Sequence, residues 1–201
     1  MGRSLTTGEI ALAQSVFGNT IDFNEVEIGE TSELFSTLAA KRGTPSMAIT
    51  PYGDPSFTGP AYRNDYSDSG VPSGLKALFI HELGHTLQHQ NGMKVPKQRD
   101  AHPEGSSYDY DDIFHGKPFH ELSPEAQAEF LEDVWRKKNG VQVDADKNGE
   151  PLEDPDRPLS EYLERLPSYF PDGEATDSVP SDLAIPHPNQ APVRPEYPQD
   201  V

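Results

Sequence analysis

The chain contains no cysteine. That excludes disulfide staples, a thiol nucleophile and thiolate-held metal, and it leaves the redox compartment open. Apolar residues are also scarce. They make up 33% of 201 residues, which is low for a fully packed chain of this length, so part of the sequence lies outside any core. No apolar run is long enough to span a bilayer. The opening Met1-Gly2-Arg3-Ser4-Leu5-Thr6 lacks the apolar stretch of a cleaved signal peptide. Positive charge is in short supply too: 16 Lys and Arg against 34 Asp and Glu leave a formal net charge of −18. A chain this acidic repels nucleic acid and anionic lipid, so neither is expected as a partner. The sequence shows no internal repeat, and one compact domain with tails is the natural organisation.

What is present centres on Leu75-Lys76-Ala77-Leu78-Phe79-Ile80-His81-Glu82-Leu83-Gly84-His85-Thr86-Leu87-Gln88-His89-Gln90. Residues four apart on an α-helix lie one above the other, so His81 and His85 can aim two imidazole nitrogens at one point. This is the HExxH arrangement, in which two histidines bind zinc and the intervening glutamate is the general base. Glu82 follows the first ligand directly, so its carboxylate can reach a water on the same metal. Pro72-Ser73 opens the helix, with Ser73 as N-cap, and Asn91-Gly92 closes it. Gly84 lets another backbone or a substrate approach. Two satisfied core histidines are the plain alternative, but it leaves the helix, the spacing and the glutamate as coincidence.

Upstream, Leu5-Thr6-Thr7-Gly8-Glu9-Ile10 is a helix start: Thr6 is N-cap, Glu9 completes a capping box, and the helix runs to Phe17. Residues 21–28 alternate apolar and acidic side chains and predict a strand with Val26 and Ile28 inward. Residues 46–50 and 57–62 predict a hairpin around Pro51-Tyr52-Gly53-Asp54-Pro55. An edge strand beside a metal helix can take an extended peptide by strand addition, and this hairpin is the candidate for that role. Downstream, one of Tyr108 and Tyr110 could stabilise the oxyanion of a tetrahedral intermediate, although a half-buried strand or turn with two packed aromatics is the favoured reading. Ser123-Pro124-Glu125 opens a second helix that ends near Asn139-Gly140. Asp144-Ala145-Asp146-Lys147-Asn148-Gly149 resembles half of a calcium loop, but position twelve is Pro155, so it reads as a polar turn.

A catalytic zinc site usually takes three protein ligands and a water. The longer metzincin motif would need Gly at 88 and His at 91, where this chain has Gln88 and Asn91. His89, His102, His115 and His120 remain open as ligands. A glutamate from the second helix is the gluzincin solution, and a helical wheel favours Glu129, which borders the apolar arc, over Glu125, which points further out. Asp133, one turn on, is the candidate for orienting a zinc histidine from behind. Gln127 falls inside the apolar arc and needs a partner.

The segment over residues 46–93, with Phe79-Ile80-His81-Glu82-Leu83-Gly84-His85-Thr86-Leu87-Gln88-His89-Gln90 at its centre, resembles small bacterial zinc metallopeptidases labelled Vgr-related and found near type VI secretion genes. Thr7-Gly8-Glu9-Ile10-Ala11-Leu12-Ala13, Tyr108-Asp109-Tyr110 and Glu125-Ala126-Gln127-Ala128-Glu129 fit the same group. The resemblance covers roughly residues 5–140. It implies an α+β, zincin-like fold built of an HExxH helix, a small sheet and a second ligand-bearing helix. The expected domain is residues 1–143, and residues 144–201 form an acidic, proline-rich tail with a short helix over 160–166. The implied function is a zinc-dependent peptidase acting on peptide or protein, with Zn2+ on His81, His85 and Glu129 and Glu82 as base. Secretion-system components are expected partners. The chain is expected in the cytoplasm, or exported without a cleaved signal by type VI secretion. A silent zinc-binding adaptor and a peptidoglycan-directed hydrolase are the alternatives.

Eleven of the twenty prolines fall within residues 151–201, a composition that cannot build a packed core. A chain ending at Pro167 should therefore melt within a few degrees of the full-length protein. Thermal unfolding of the two would show a large drop if the tail carried part of the core.

Overall fold

The computed structural model describes residues 2–31, 48–95, 107–143, 154 and 156–166. Among them the fold is mixed α+β. The α-helices are α1 (Thr7–Phe17), α2 (Ser73–Gln90), α3 (Pro124–Lys138) and α4 (Leu159–Arg165). Four short strands, β1 (Arg3–Ser4), β2 (Glu27–Thr31), β3 (Ala48–Ile49) and β4 (Ser56–Thr58), form one sheet in the order β1-β2-β4-β3. β2 pairs parallel to β4, and the other two pairings are antiparallel. This places β3 at an edge of the described sheet, against α2. The predicted calcium-like loop at residues 144–149, His102 and residues 167–201 lie outside the described residues.

α1 begins as its sequence requires. Thr6 Oγ1 accepts from the Glu9 amide at 3.0 Å, and Glu9 Oε2 accepts from the Thr6 amide at 2.8 Å. Glu9 does more than close the box. It is fully buried, accepts from the Arg3 guanidinium at 2.7 and 2.8 Å, and accepts from the Tyr66 amide at 2.9 Å. One carboxylate thus ties β1, α1 and the 61–66 turn together. The strand expected over 21–28 begins later. Asp22 caps a 3-10 turn at Phe23–Glu25 by accepting from the Asn24 amide, and this local bond diverts the first half of the segment from the sheet. Val26 and Ile28 do point inward.

α2 starts on Pro72, not on a serine cap. Pro72 holds the N-cap position with ψ 142°, and its carbonyl accepts from the Leu75 and Lys76 amides at 3.0 and 3.2 Å. Ser73 is already helical and supplies no side-chain cap. α3 follows expectation at its start: Ser123 Oγ accepts from the Ala126 amide, and Pro124 takes N1. Every residue of α3 from Pro124 to Arg136 is buried, including Glu125, Gln127, Glu129, Glu132 and Asp133. The reason is that α3 packs on α2, α1 and α4, so its first three turns have no free face.

α4 falls where a short helix is expected within the tail, and it packs onto the domain. Tyr162 is fully buried, stacked on Phe130 with ring centroids 5.6 Å apart, and edge-on to Phe114 at 5.1 Å. A second aromatic group, Phe57, Tyr66 and Phe79, joins the sheet to the back of α2 at centroid spacings of 4.8 Å.

α2 and α3 meet at Gly84. A Cβ there would lie 3.1 Å from both Cα and Cβ of Ala128. The first of those atoms is backbone and cannot step aside. Gly84→Val should cost about 1–3 kcal/mol through overpacking. Denaturant unfolding would measure it, and an unchanged midpoint would show that the helices can part at that point without cost.

Candidate metal centre

His81 and His85 lie one turn apart on α2, both buried, with their rings 5.1 Å apart and nearly perpendicular. Their Nε2 atoms converge on one oxygen of α3. Glu125 Oε2 is 3.4 Å from His81 Nε2 and 3.3 Å from His85 Nε2. These separations have a chemical meaning. Two donors each about 2.1 Å from a tetrahedral ion lie about 3.4 Å apart. The separations from Glu125 to each histidine thus match the edge of a coordination tetrahedron, and all three atoms lie within 4.8 Å of one another. His81, His85 and Glu125 form one group among the described residues that could hold a metal ion.

Glu82 points from the same helix and is also buried. The Thr50 hydroxyl, at the end of edge strand β3, donates to Glu82 Oε2 at 2.6 Å. The strand thus fixes the carboxylate beside the histidine pair. Tyr108 stands at the rim, 42% exposed, with its ring 5.9 Å from that of His81.

The opposite nitrogen of His81 faces more acid. Nδ1 is 3.4 Å from Glu129 Oε2 and 3.2 Å from Glu132 Oε2. Burial alone would lower the His81 pKa, but the hydrogen bonds and charges of Glu129 and Glu132 prevail and hold it well above the ordinary imidazole value. The two carboxyls differ. Burial, and then the charge of Glu132, push Glu129 up to about 7. Burial acts on Glu132 in the same sense, yet His81 and then Arg136 hold it below the ordinary carboxylate range. Arg136 Nε donates to Glu132 Oε1 at 2.9 Å and Nη2 donates to the same oxygen at 2.5 Å.

These positions differ from the expected site at Asp133 and Tyr110, and they leave two candidate metal groups that share His81. The sequence points to Glu129 as third ligand, and Glu129 lies at Nδ1 of His81, where His81, Glu129 and Glu132 form a second group of described residues that could hold a metal ion. It is Glu125 that meets both Nε2 atoms. The broad apolar arc of the helical wheel serves two neighbours. Ala128 and Leu131 face Gly84 of α2, while Phe130 faces the aromatic cluster. The border nearest α2 carries Glu125, Glu129 and Glu132, all of which reach His81. Asp133, expected behind a zinc histidine, instead accepts from the Tyr110 phenol at 2.5 Å. Tyr110, expected as an oxyanion candidate, is fully buried in the core, with its hydroxyl between Asp133 and Tyr162. Of the other histidines, His115 and His120 are exposed, and His89 packs beside Gly53.

Sequence reasoning missed Thr50, Glu132 and the role of Gln88. Only Gln127 left a signal, as a polar residue on an apolar arc. Its partner is Gln88, whose side-chain nitrogen donates to Gln127 Oε1 at 3.1 Å.

No family model matches the chain. It is 31% identical over 143 residues to the type VI secretion system spike protein VgrG2b of Pseudomonas aeruginosa (strain PAO1), a stretch that is 69% of this chain and 13% of that protein. The solved structure of the effector domain of P. aeruginosa VgrG2b matches with a TM-score of 0.53 at 27% identity, covering 69% of this chain and 76% of that one. The chain is thus related in sequence and fold to that effector domain, and spans a small fraction of the whole spike protein.

The two acidic groups around His81 can be told apart by metal uptake. Glu125→Ala should weaken Zn2+ binding strongly, and Glu129→Ala less, since the latter acts through His81. Calorimetric titration of both variants would measure this. A larger loss for Glu129→Ala would return Glu129 to the ligand set.

Proposed function

We propose that this chain is a zinc-dependent peptidase of gluzincin type, with a zincin-like fold, delivered or deployed as an effector domain of a type VI secretion system. The observation that carries the reading is that Glu125 Oε2 meets both His81 Nε2 and His85 Nε2 at tetrahedral-edge spacing, with Glu82 buried on the helix of the two histidines. Two imidazoles and one carboxylate are a ligand set typical of catalytic zinc with one open position. The likeness to the VgrG2b effector domain supports the secretion context.

When bound, zinc would polarise a scissile carbonyl and lower the pKa of its water to about 7. The protein's own groups do the rest. Glu82 accepts the water's proton and passes it to the leaving amine. Thr50 holds Glu82 in place through its hydroxyl until that transfer. Strand β3, at an edge of the described sheet, is the candidate for pairing with an extended peptide, which Thr50 would register against the base. Tyr108 lies near enough to His81 to donate its phenol to the developing oxyanion, a role that Tyr110, held in the core, leaves to it. Peptide or protein is the substrate class.

Glu82→Gln separates chemistry from binding. The variant should keep its zinc and its fold and lose turnover by about 10²–10⁴-fold, because an amide cannot take the proton. Cleavage of a peptide library and release of fragments from purified sacculi, each read for wild type and variant at matched zinc content, check this. Turnover unchanged in the variant would remove Glu82 as base. A zinc-loaded wild type silent on both substrates would favour an adaptor that keeps the metal site without chemistry.

A further inference from the structure

His85 presents Nε2 to the candidate metal centre, so its other nitrogen, Nδ1, must be satisfied inside the protein. It faces Gln88 Oε1 at 2.9 Å, one turn along α2. An amide oxygen can only accept. Which end of the Gln88 amide faces His85 is decided by what faces the other end. The Gln88 nitrogen lies 2.8 Å from the Pro124 carbonyl oxygen and 3.1 Å from Gln127 Oε1. The Pro124 carbonyl can only accept. Gln127 is fixed in the same manner: its nitrogen donates to the Leu122 carbonyl at 3.0 Å, so its oxygen must face Gln88.

The sense of the whole chain is therefore set at its far end. Two backbone carbonyls at the start of α3 orient Gln127 and Gln88, and Gln88 then requires a proton on His85 Nδ1. With that proton on Nδ1, neutral His85 carries a bare lone pair on Nε2. Reversing any one amide would set two acceptors or two donors face to face inside a buried site. Both glutamines are almost fully buried, at 5% and 2% exposure, so water cannot readily repair such a fault.

We infer that Gln88 and Gln127 form an amide relay that sets the tautomer of His85 from the first turn of α3, making both positioning residues for the metal centre. The inference rests on the zinc reading for its purpose, but the tautomer can be measured without metal. The relay also answers a packing question. Gln127 interrupts the apolar arc of α3 because it must reach Gln88 across the α2–α3 seam. The same bonds that prepare the ligand also register the ligand-bearing helices, so the site is assembled only when α3 is docked. His81 is supported differently, by carboxylates, so the two histidines are held by unlike partners.

Nitrogen-15 long-range correlation spectra of the metal-free full-length chain, at a pH where His85 is neutral, read the tautomer directly. Competition against a chromogenic chelator reads affinity for Zn2+. Wild type should show the Nδ1–H form. Gln88→Met, which keeps the volume and removes the acceptor, should populate the Nε2–H form and lower zinc affinity by about 10–100-fold. Gln88→Glu keeps an acceptor at Nδ1 and should keep the Nδ1–H tautomer, although its second oxygen then faces the Pro124 carbonyl and costs stability; a purely packing role would not separate the tautomers of the two variants. Gln127→Met, which does not touch His85, should give a mixed tautomer and an intermediate affinity. An Nε2–H tautomer in the wild type would overturn the relay, whether or not any variant folds. So would Gln88→Met and Gln127→Met variants with wild-type tautomer and affinity. Failure of the zinc reading has a different signature: a wild type with no zinc affinity, or a His81→Ala variant with all of it, while the tautomer result still stands.

Discussion

The seam between α2 and α3 is the constraint on which the site depends. α2 brings two histidines and a glutamate, and α3 brings three further carboxyls. None of these groups is useful at the spacing a free helix would give it. The absence of a side chain at Gly84 allows the axes to close until Ala128 nearly touches the α2 backbone. That approach sets the 3.3 and 3.4 Å gaps from Glu125 to the histidines. A seam so close and so polar must be satisfied atom by atom. The Gln88–Gln127 bond satisfies it on one side of the Gly84 contact, and the His81–Glu132–Arg136 ion pairs on the other.

The charge arrangement follows from the same closeness. Three buried glutamates and an aspartate on one helix would repel one another strongly at low dielectric. They are tolerated because each has its own answer. Glu132 has Arg136 and His81. Asp133 has the Tyr110 phenol, with Arg136 Nε 3.6 Å away. Glu129 is pushed towards its neutral form. Glu125 faces the two imidazoles that, in the proposed function, share a cation with it. A line of paired groups therefore runs from His81 through Glu132, Arg136, Asp133 and Tyr110 to Tyr162 of α4.

Much of this was legible in the sequence, and the limits are physical. The capping box at Thr6 and Glu9, the Ser123-Pro124 helix start and the His81-Glu82-Leu83-Gly84-His85 spacing are local rules, and each appears where it is expected. The short helix near residues 160–166 also appears. What could not be read was which face of α3 meets α2. A wheel gives angular order within one helix but not the direction of its neighbours. α3 has neighbours on several sides, so the wheel did not show that Glu125 as well as Glu129 would reach His81. Thr50 was invisible for a related reason. It reaches Glu82 from 32 residues away in sequence, a distance that no local pattern spans. Gln127 was conspicuous as a misfit on its own helix, which is how a residue looks when its partner lies on another.

The position of Tyr162 bears on the order in which the molecule can be completed. Its ring covers Phe130 and Phe114, and its hydroxyl lies 3.2 Å from that of Tyr110, the group that bonds Asp133. These contacts join residues far apart along the chain, so α4 is the closing piece, made after both metal-site helices. Until it emerges from the ribosome, Phe130 of α3 has its Tyr110, Phe114 and Phe119 neighbours but lacks the stacked ring of Tyr162. A growing chain can thus pair α2 with α3 before that ring is in place. The docking of α4, and not the pairing of the two helices, closes the Tyr162 side of the acidic helix.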